Sequence, residues 1–170
     1  MSAPAAPPSR TKRVRTWFDA RFRSPAAIYG LIVFAAFVTI ADDHATDAWD
    51  VLSTSFSTLV VFFIAHVFAH TLTEHGRHGL GRSTRLAIRH AAGMLWASVP
   101  AILVLVWAGA TGMSVDDASD WCALATFVVL ALLGYYAYRQ RGAGIVGRLA
   151  GAAATATLGI LIVILEAVFH

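Results

Sequence analysis

The segment Val51–Leu72, VLSTSFSTLVVFFIAHVFAHTL, decides the fold class of this chain. It contains no Asp, Glu, Lys or Arg, and it is long enough for a helix to cross a bilayer, which takes about 20 mainly apolar residues. The rest of the chain has the same character, with 58% hydrophobic residues, 14% charged residues and a mean hydropathy of +0.66. Soluble globular domains rarely reach such values, so the sequence predicts an integral membrane protein.

Four further segments are similarly apolar, and each is expected to be helical because a helix satisfies its own backbone polar groups in lipid. The predicted spans are approximately 25–41, 51–72, 91–110, 120–138 and 145–169. We therefore predict an all-α polytopic membrane protein, with a bundle of five transmembrane helices over residues 25–170. Residues 1–24 are predicted to form a cytoplasmic tail whose basic part could lie in the membrane interface.

The first apolar segment has an alternative interpretation as a secretory signal peptide, which carries a basic stretch before a short apolar run. The run begins late, it is longer than a typical signal h-region, and no clean A-x-A cleavage site precedes Asp42 and Asp43. These features favour a membrane span.

The distribution of charge predicts the orientation, because Lys and Arg accumulate in cytoplasmic connections near the ends of spans. All 13 basic residues lie before span one, between spans two and three, or between spans four and five, with Arg148 in the first turn of span five. They are Arg10, Lys12, Arg13, Arg15, Arg21, Arg23, Arg77, Arg82, Arg85, Arg89, Arg139, Arg141 and Arg148. The other connections carry only acidic charge, so we expect the N-terminus in the cytoplasm, the C-terminus outside, and an odd number of crossings.

Span five carries small residues every four positions, at Gly147, Gly151, Thr155 and Gly159. Small residues let membrane helices approach closely, so this stripe is predicted to pack against another helix. Glu166 lies on nearly the same face. A carboxylate inside a bilayer needs a partner, a proton or water, unless it reaches the hydrated headgroups at the outer end of the span.

A stripe of titratable residues follows one face of span two, where His66, His70 and Glu74 recur every four residues. Imidazole titrates near neutral pH, and intramembrane His and Glu commonly form proton relays. The stripe with Glu166 therefore predicts a path for protons or a small cation.

The same histidines allow two other kinds of site and a purely structural role. His66, His70, Glu74, His75, His78 and His90 could supply ligands to a metal ion, although an HxxxH pair alone is a weak motif. A histidine of span two and His90 could instead be the axial ligands of a haem. In the structural interpretation, His66 bonds a neighbouring helix and the other histidines contact headgroups.

Two functional hypotheses follow for this chain in a bacterial cytoplasmic membrane. The first is a protein that moves or couples to protons or a small cation, acting as a homo-oligomer or with a membrane partner. The second is a non-transporting accessory or scaffold subunit whose glycine-rich fifth span docks on a larger complex. No P-loop, nucleotide-binding fingerprint, nucleophile with its base or nucleic-acid-binding pattern occurs, so an enzyme is the least supported class.

Overall fold

All the secondary structure described by the computed structural model is helical. The model describes residues 25–169, and the side chains at positions 25, 74–78, 162, 163 and 165–169 lie outside that description. The helices are α1 (Pro25–Asp42), α2 (Ala48–His78), α3 (Leu80–Thr111), α4 (Val115–Gln140) and α5 (Ile145–Phe169). The predicted all-helical class is confirmed, and the prediction for the tail 1–24 falls outside the described residues.

Within the described part of the chain, three segments are long and apolar enough to cross a membrane. They are Ala48–Thr73, Leu80–Thr111 and Val115–Gln140. The apolar segments Ala26–Asp42 and Ile145–Leu161 are shorter. Length and composition therefore make α2, α3 and α4 the firm candidates for membrane spans.

The connection between α2 and α3 is a single residue, Gly79. The sequence places spans two and three at 51–72 and 91–110, but helix continues to His78 on one side and resumes at Leu80 on the other. Gly79 has φ 73° and ψ 155°, a conformation that is essentially restricted to glycine. The arginines at 77, 82, 85 and 89 consequently lie on helices, because Arg, Leu and Ala favour helix and no proline interrupts them.

The turns at the opposite end of the bundle are fixed by helix caps. The carboxylate of Asp47 accepts hydrogen bonds from the backbone N–H groups of Trp49 at 2.8 Å and Asp50 at 2.9 Å. Ser114 caps α4 by accepting a bond from the N–H of Asp117 at 3.2 Å. Gly112 ends α3 in the left-handed conformation, with φ 66°. These caps satisfy backbone groups that the first and last turns leave free.

Helix α3 lies at the centre of the bundle and packs against α1, α2 and α4. Most of its buried face is small, and its buried positions recur every three or four residues. They are Ser83, Ala87, Ala91, Gly93, Met94, Ala97, Ser98, Ala101, Leu105 and Ala108. Larger side chains from the neighbours, including Phe34 of α1 and Leu59 of α2, complete the core. The alanines allow close helix approach in the way that glycine stripes do.

Helix α5 packs mainly on α4. The hydroxyl of Thr155 donates to the backbone oxygen of Leu130 on α4 at 2.8 Å. A Cβ atom at Gly134 would overlap Gly151 and Thr155, and a Cβ at Gly151 would overlap the ring of Tyr138. The two backbones therefore meet at a glycine contact that admits no larger residue without a shift.

The outward faces of the helices are strongly apolar. Phe68 is 64% exposed, Leu103 61%, Leu132 61% and Val146 82%. A soluble monomer rarely leaves so many large apolar side chains uncovered, whereas lipid chains cover them without cost. This surface supports membrane association independently of helix length.

Candidate functional site

Three histidine rings come together where α2 meets the beginning of α3. The ring centroids of His66 and His70 lie 6.3 Å apart, and those of His70 and His90 lie 5.1 Å apart. His66 and His70 share a face of α2 because they are one turn apart, and the tight turn at Gly79 returns α3 so that His90 lies beside His70. We call these three residues the histidine cluster.

The histidine cluster lies at the edge of the α2–α3 seam. His66 and His70 are half-buried, while His90 is exposed. The Nδ1 atom of His70 is enclosed and has no hydrogen-bond partner among the residues whose side chains the structure describes. A buried polar nitrogen without a partner is unfavourable, so this atom is suited to accept a water, a proton or another ligand. The cluster is therefore a polar site on a largely apolar surface.

One hydroxyl group on the same face of α2 is satisfied locally. Thr58 donates to the backbone oxygen of Thr54 at 2.8 Å, one turn along the helix. The polar stripe on this face of α2 thus extends from the histidine cluster to Thr58 and Thr54, and the Thr58 hydroxyl forms its hydrogen bond within the helix.

Several residues predicted for the site have side chains outside the described part of the structure. Glu74, His75 and His78 belong to the last turn of α2, and Glu166 belongs to the end of α5. Their positions along the helices are given, but their contacts are not described. The predicted path through Glu74 and Glu166 therefore stays a prediction.

The described residues contain no group of three or more His, Cys, Asp or Glu side chains arranged to hold a metal ion. His70 and His90 nevertheless form a cross-helix pair of imidazoles. Two imidazoles could supply both axial ligands of a haem or two of the ligands of a metal ion, and a metal ion would need further ligands from outside this pair.

A second polar contact lies at the other end of the bundle, where Asp42 at the end of α1 meets α4. Burial raises the pKa of Asp42 above its ordinary value of 3.8, and the nearby carboxylates of Asp116, Asp43 and Asp120 raise it further. The hydroxyl of Ser119 acts in the opposite direction. Within residues 25–169, neither Oδ1 of Asp42 nor Oγ of Ser119 has a described hydrogen-bond partner, so the contact between them falls short of hydrogen-bond geometry.

The small residues of span five have different surroundings along the helix. Gly151 and Gly159 are buried against α4, and Thr155 bonds to it. A Cβ at Gly147 would meet only Ala143, at 3.1 Å. Because α4 already covers Gly151, Thr155 and Gly159, a helix from another protein could contact these residues only by displacing α4.

Comparison with known proteins adds no family to this picture. No protein-family model, curated protein or solved structure matches the chain.

Sequence patterns named all three residues of the histidine cluster but did not give its geometry, and they missed the burial of Asp42. The four-residue spacing places His66 and His70 on one face, but the approach of His90 depends on the one-residue turn. Asp42 resembles the other outer acidic residues in sequence, and its burial depends on α4 packing beside the end of α1. A signal for that burial was the apolar stretch that runs to Ala41 directly before it.

Proposed function

We propose that this protein spans the membrane five times, with its N-terminus in the cytoplasm and its C-terminus outside, and moves or couples to protons or a small cation. The observation that carries the functional part is the histidine cluster, with ring separations of 6.3 Å and 5.1 Å. Rings at these separations can exchange protons through single bridging waters. The unpartnered Nδ1 of His70 is the natural acceptor in the middle of the series.

The path continues through Glu74 toward the cytoplasm, with Glu166 on the outer side. Glu74 follows His70 by one helical turn, so it extends the same face of α2. Asp42, with its raised pKa, is a further outer carboxyl that binds a proton more readily than an ordinary aspartate. The proposed path thus has carboxyl groups at both its cytoplasmic end and its outer end.

The position of the histidine cluster at the surface of the chain has a consequence for oligomeric assembly. The cluster lies at the rim of a seam, and His90 is exposed. Lipid tails would not hydrate a proton path there, so we propose that a second copy of the chain covers the seam in a homo-oligomer.

Proton or cation flux in proteoliposomes tests the proposal. The double variant His66→Ala, His70→Ala is expected to lose most of the flux because the central acceptor and its neighbour are removed. His44→Ala is the matched control, since His44 is exposed in the α1–α2 connection and lies outside the cluster. Flux that survives unchanged in the double variant rejects transport along this face and favours a non-transporting scaffold subunit.

The cross-helix pair of His70 and His90 supports a second candidate, a metal- or haem-binding membrane protein. An absorption spectrum of the purified protein separates the alternatives. A Soret band that is lost in His90→Ala would establish haem, and metal analysis of the same samples would report a bound ion.

A further inference from the structure

A groove runs along the first three turns of α3, on the side of the bundle where all the basic residues of the α2–α3 hairpin lie. Its volume is about 590 Å³. It is lined by Leu80, Gly81, Thr84, Arg85, Ile88 and Arg89. These residues form the adjacent pairs 80/81, 84/85 and 88/89, and each pair follows the previous one by four residues. All six residues therefore lie on one face of α3. We call this feature the α3 groove.

The charge of the α3 groove is purely positive among the described side chains. Arg85 and Arg89 are exposed and lie one turn apart, and no described carboxylate forms an ion pair with either. Two guanidinium groups at this spacing suit a phosphate, because each can donate a forked pair of hydrogen bonds to its oxygens.

The groove is also apolar. Leu80 is 60% exposed and Ile88 is 45% exposed beside the arginines. The tendency of arginine to stay on the cytoplasmic side explains the charges, but it does not explain the exposed apolar side chains of Leu80 and Ile88 that lie beside them on this open face of α3. A ligand that matches both features carries a phosphate and an apolar part.

The level of the groove along α3 fits a lipid. Helix α3 has 32 residues and therefore rises about 48 Å, whereas the hydrocarbon core of a bilayer is about 30 Å thick. With the apolar span beginning near Ala91, Arg89 lies about 3 Å and Arg85 about 9 Å beyond the hydrocarbon boundary. Headgroups occupy roughly the first 5–8 Å beyond that boundary, so the backbone positions of Arg89 and Arg85 lie within and just beyond the headgroup layer, within reach of lipid phosphates.

We propose that the α3 groove binds an anionic glycerophospholipid. Arg85 and Arg89 hold its phosphate, and Ile88 packs along the apolar part of the lipid where it enters the membrane. Anionic lipids are concentrated in the cytoplasmic leaflet, where basic side chains near the surface attract them. The inference needs α3 to enter a membrane, but it does not depend on transport through the histidine cluster.

Native mass spectrometry tests the proposal on the full chain released from nanodiscs made with equal parts of phosphatidylglycerol and phosphatidylcholine. The wild-type protein is expected to retain phosphatidylglycerol in preference to phosphatidylcholine. Each arginine near an anionic surface contributes roughly a fivefold preference, so Arg85→Gln, Arg89→Gln should lower the preference by roughly 25-fold. Arg82→Gln is the matched control, because Arg82 is exposed on the same helix but does not line the groove, and its loss should lower the preference by no more than the roughly fivefold effect of one surface charge.

A second pair of variants tests the groove without changing any charge. Gly81→Leu should displace the lipid by filling the groove, and it should fold because no atom lies within 4 Å of a Cβ at this position. Gly144→Leu adds the same bulk at another open position, away from the groove, and should leave lipid binding unchanged.

Three results would overturn the proposal. Equal retention of both lipids in the wild-type protein would show that the groove does not select charge. Unchanged retention in Arg85→Gln, Arg89→Gln or in Gly81→Leu would place the lipid elsewhere. Release of phosphatidylglycerol by millimolar inorganic phosphate would identify a site for free anions instead of lipid.

Discussion

At the scale of single residues, Asp42 and His70 are polar groups whose burial is set by a neighbouring helix. The sequence shows the type and spacing of such residues, and it correctly places His66 and His70 one turn apart. It does not show that His90 lies 5.1 Å from His70, because that distance depends on how α2 and α3 are aligned. The same reason hides the contact between Asp42 and Ser119.

The raised pKa of Asp42 predicts a pH-dependent stability. Asp42 lies just beyond the predicted first span, and its folded-state pKa is above the ordinary value of 3.8. The folded protein then holds this proton to a higher pH than the unfolded chain does. Its free energy of unfolding should therefore fall as the pH rises from about 3.8 through the raised pKa. Asp42→Asn should remove this fall, as measured by thermal unfolding in detergent across that pH range.

Two variants control the Asp42 experiment by moving the pKa in opposite directions. Ser119→Ala removes the hydroxyl near Asp42; because this hydroxyl lies outside hydrogen-bond geometry, the loss of stability should extend only slightly to higher pH. Asp116→Asn removes a neighbouring negative charge, so the loss should end at lower pH. The same pH slope in Asp42→Asn as in the wild-type protein would contradict the assignment.

At the scale of helices, the existence of each element was predictable and several ends were not. Apolar composition located all five helices, and the predicted first span ends one residue from the end of α1. Predicted span two stops before the end of α2, and predicted span three starts after the beginning of α3. Hydropathy detects only the part of a helix that lipid covers, whereas both helices continue as polar helix to the turn at Gly79. Helix propensity, not hydropathy, governs that extension.

The conformation of Gly79 predicts a large effect of a small substitution. Gly79→Ala places a side chain at φ 73° and ψ 155°, which should destabilise the α2–α3 hairpin by about 1–3 kcal/mol. Thermal unfolding in detergent would measure the loss. Gly81→Ala is the matched control, because this glycine is helical without positive φ and a Cβ there meets no atom. Equal melting temperatures for Gly79→Ala and the wild-type protein would show that the turn tolerates a side chain.

At the scale of the whole molecule, the all-helical fold and its apolar outer surface follow from composition alone. The arrangement around α3 does not, because its buried face is built from alanines that are common throughout the chain. The glycine pattern of α5 is more distinctive in sequence, and α4 supplies the surface that Gly151 and Thr155 contact. Which helix meets which face depends on the packing of all the helices together.

The proposed five crossings predict where each connection lies. A reporter fused after His170 should be active outside the cytoplasm, and one inserted at Gly79 should be cytoplasmic. Reporters active only on one side of the membrane, such as alkaline phosphatase and green fluorescent protein, would measure both positions. A cytoplasmic position for both would require an even number of crossings after Gly79, and α5, whose apolar segment is short, would be the candidate for the helix that does not cross.

The one-residue turn between α2 and α3 also restricts how this protein could change shape. Two helices joined so tightly cannot slide lengthwise past each other, since Gly79 offers no slack to absorb a shift of even one turn. Any conformational change would have to tilt α2 and α3 together as one rigid unit. Its movement would then be largest at the far ends of the two helices, where Trp49 packs against Gly109.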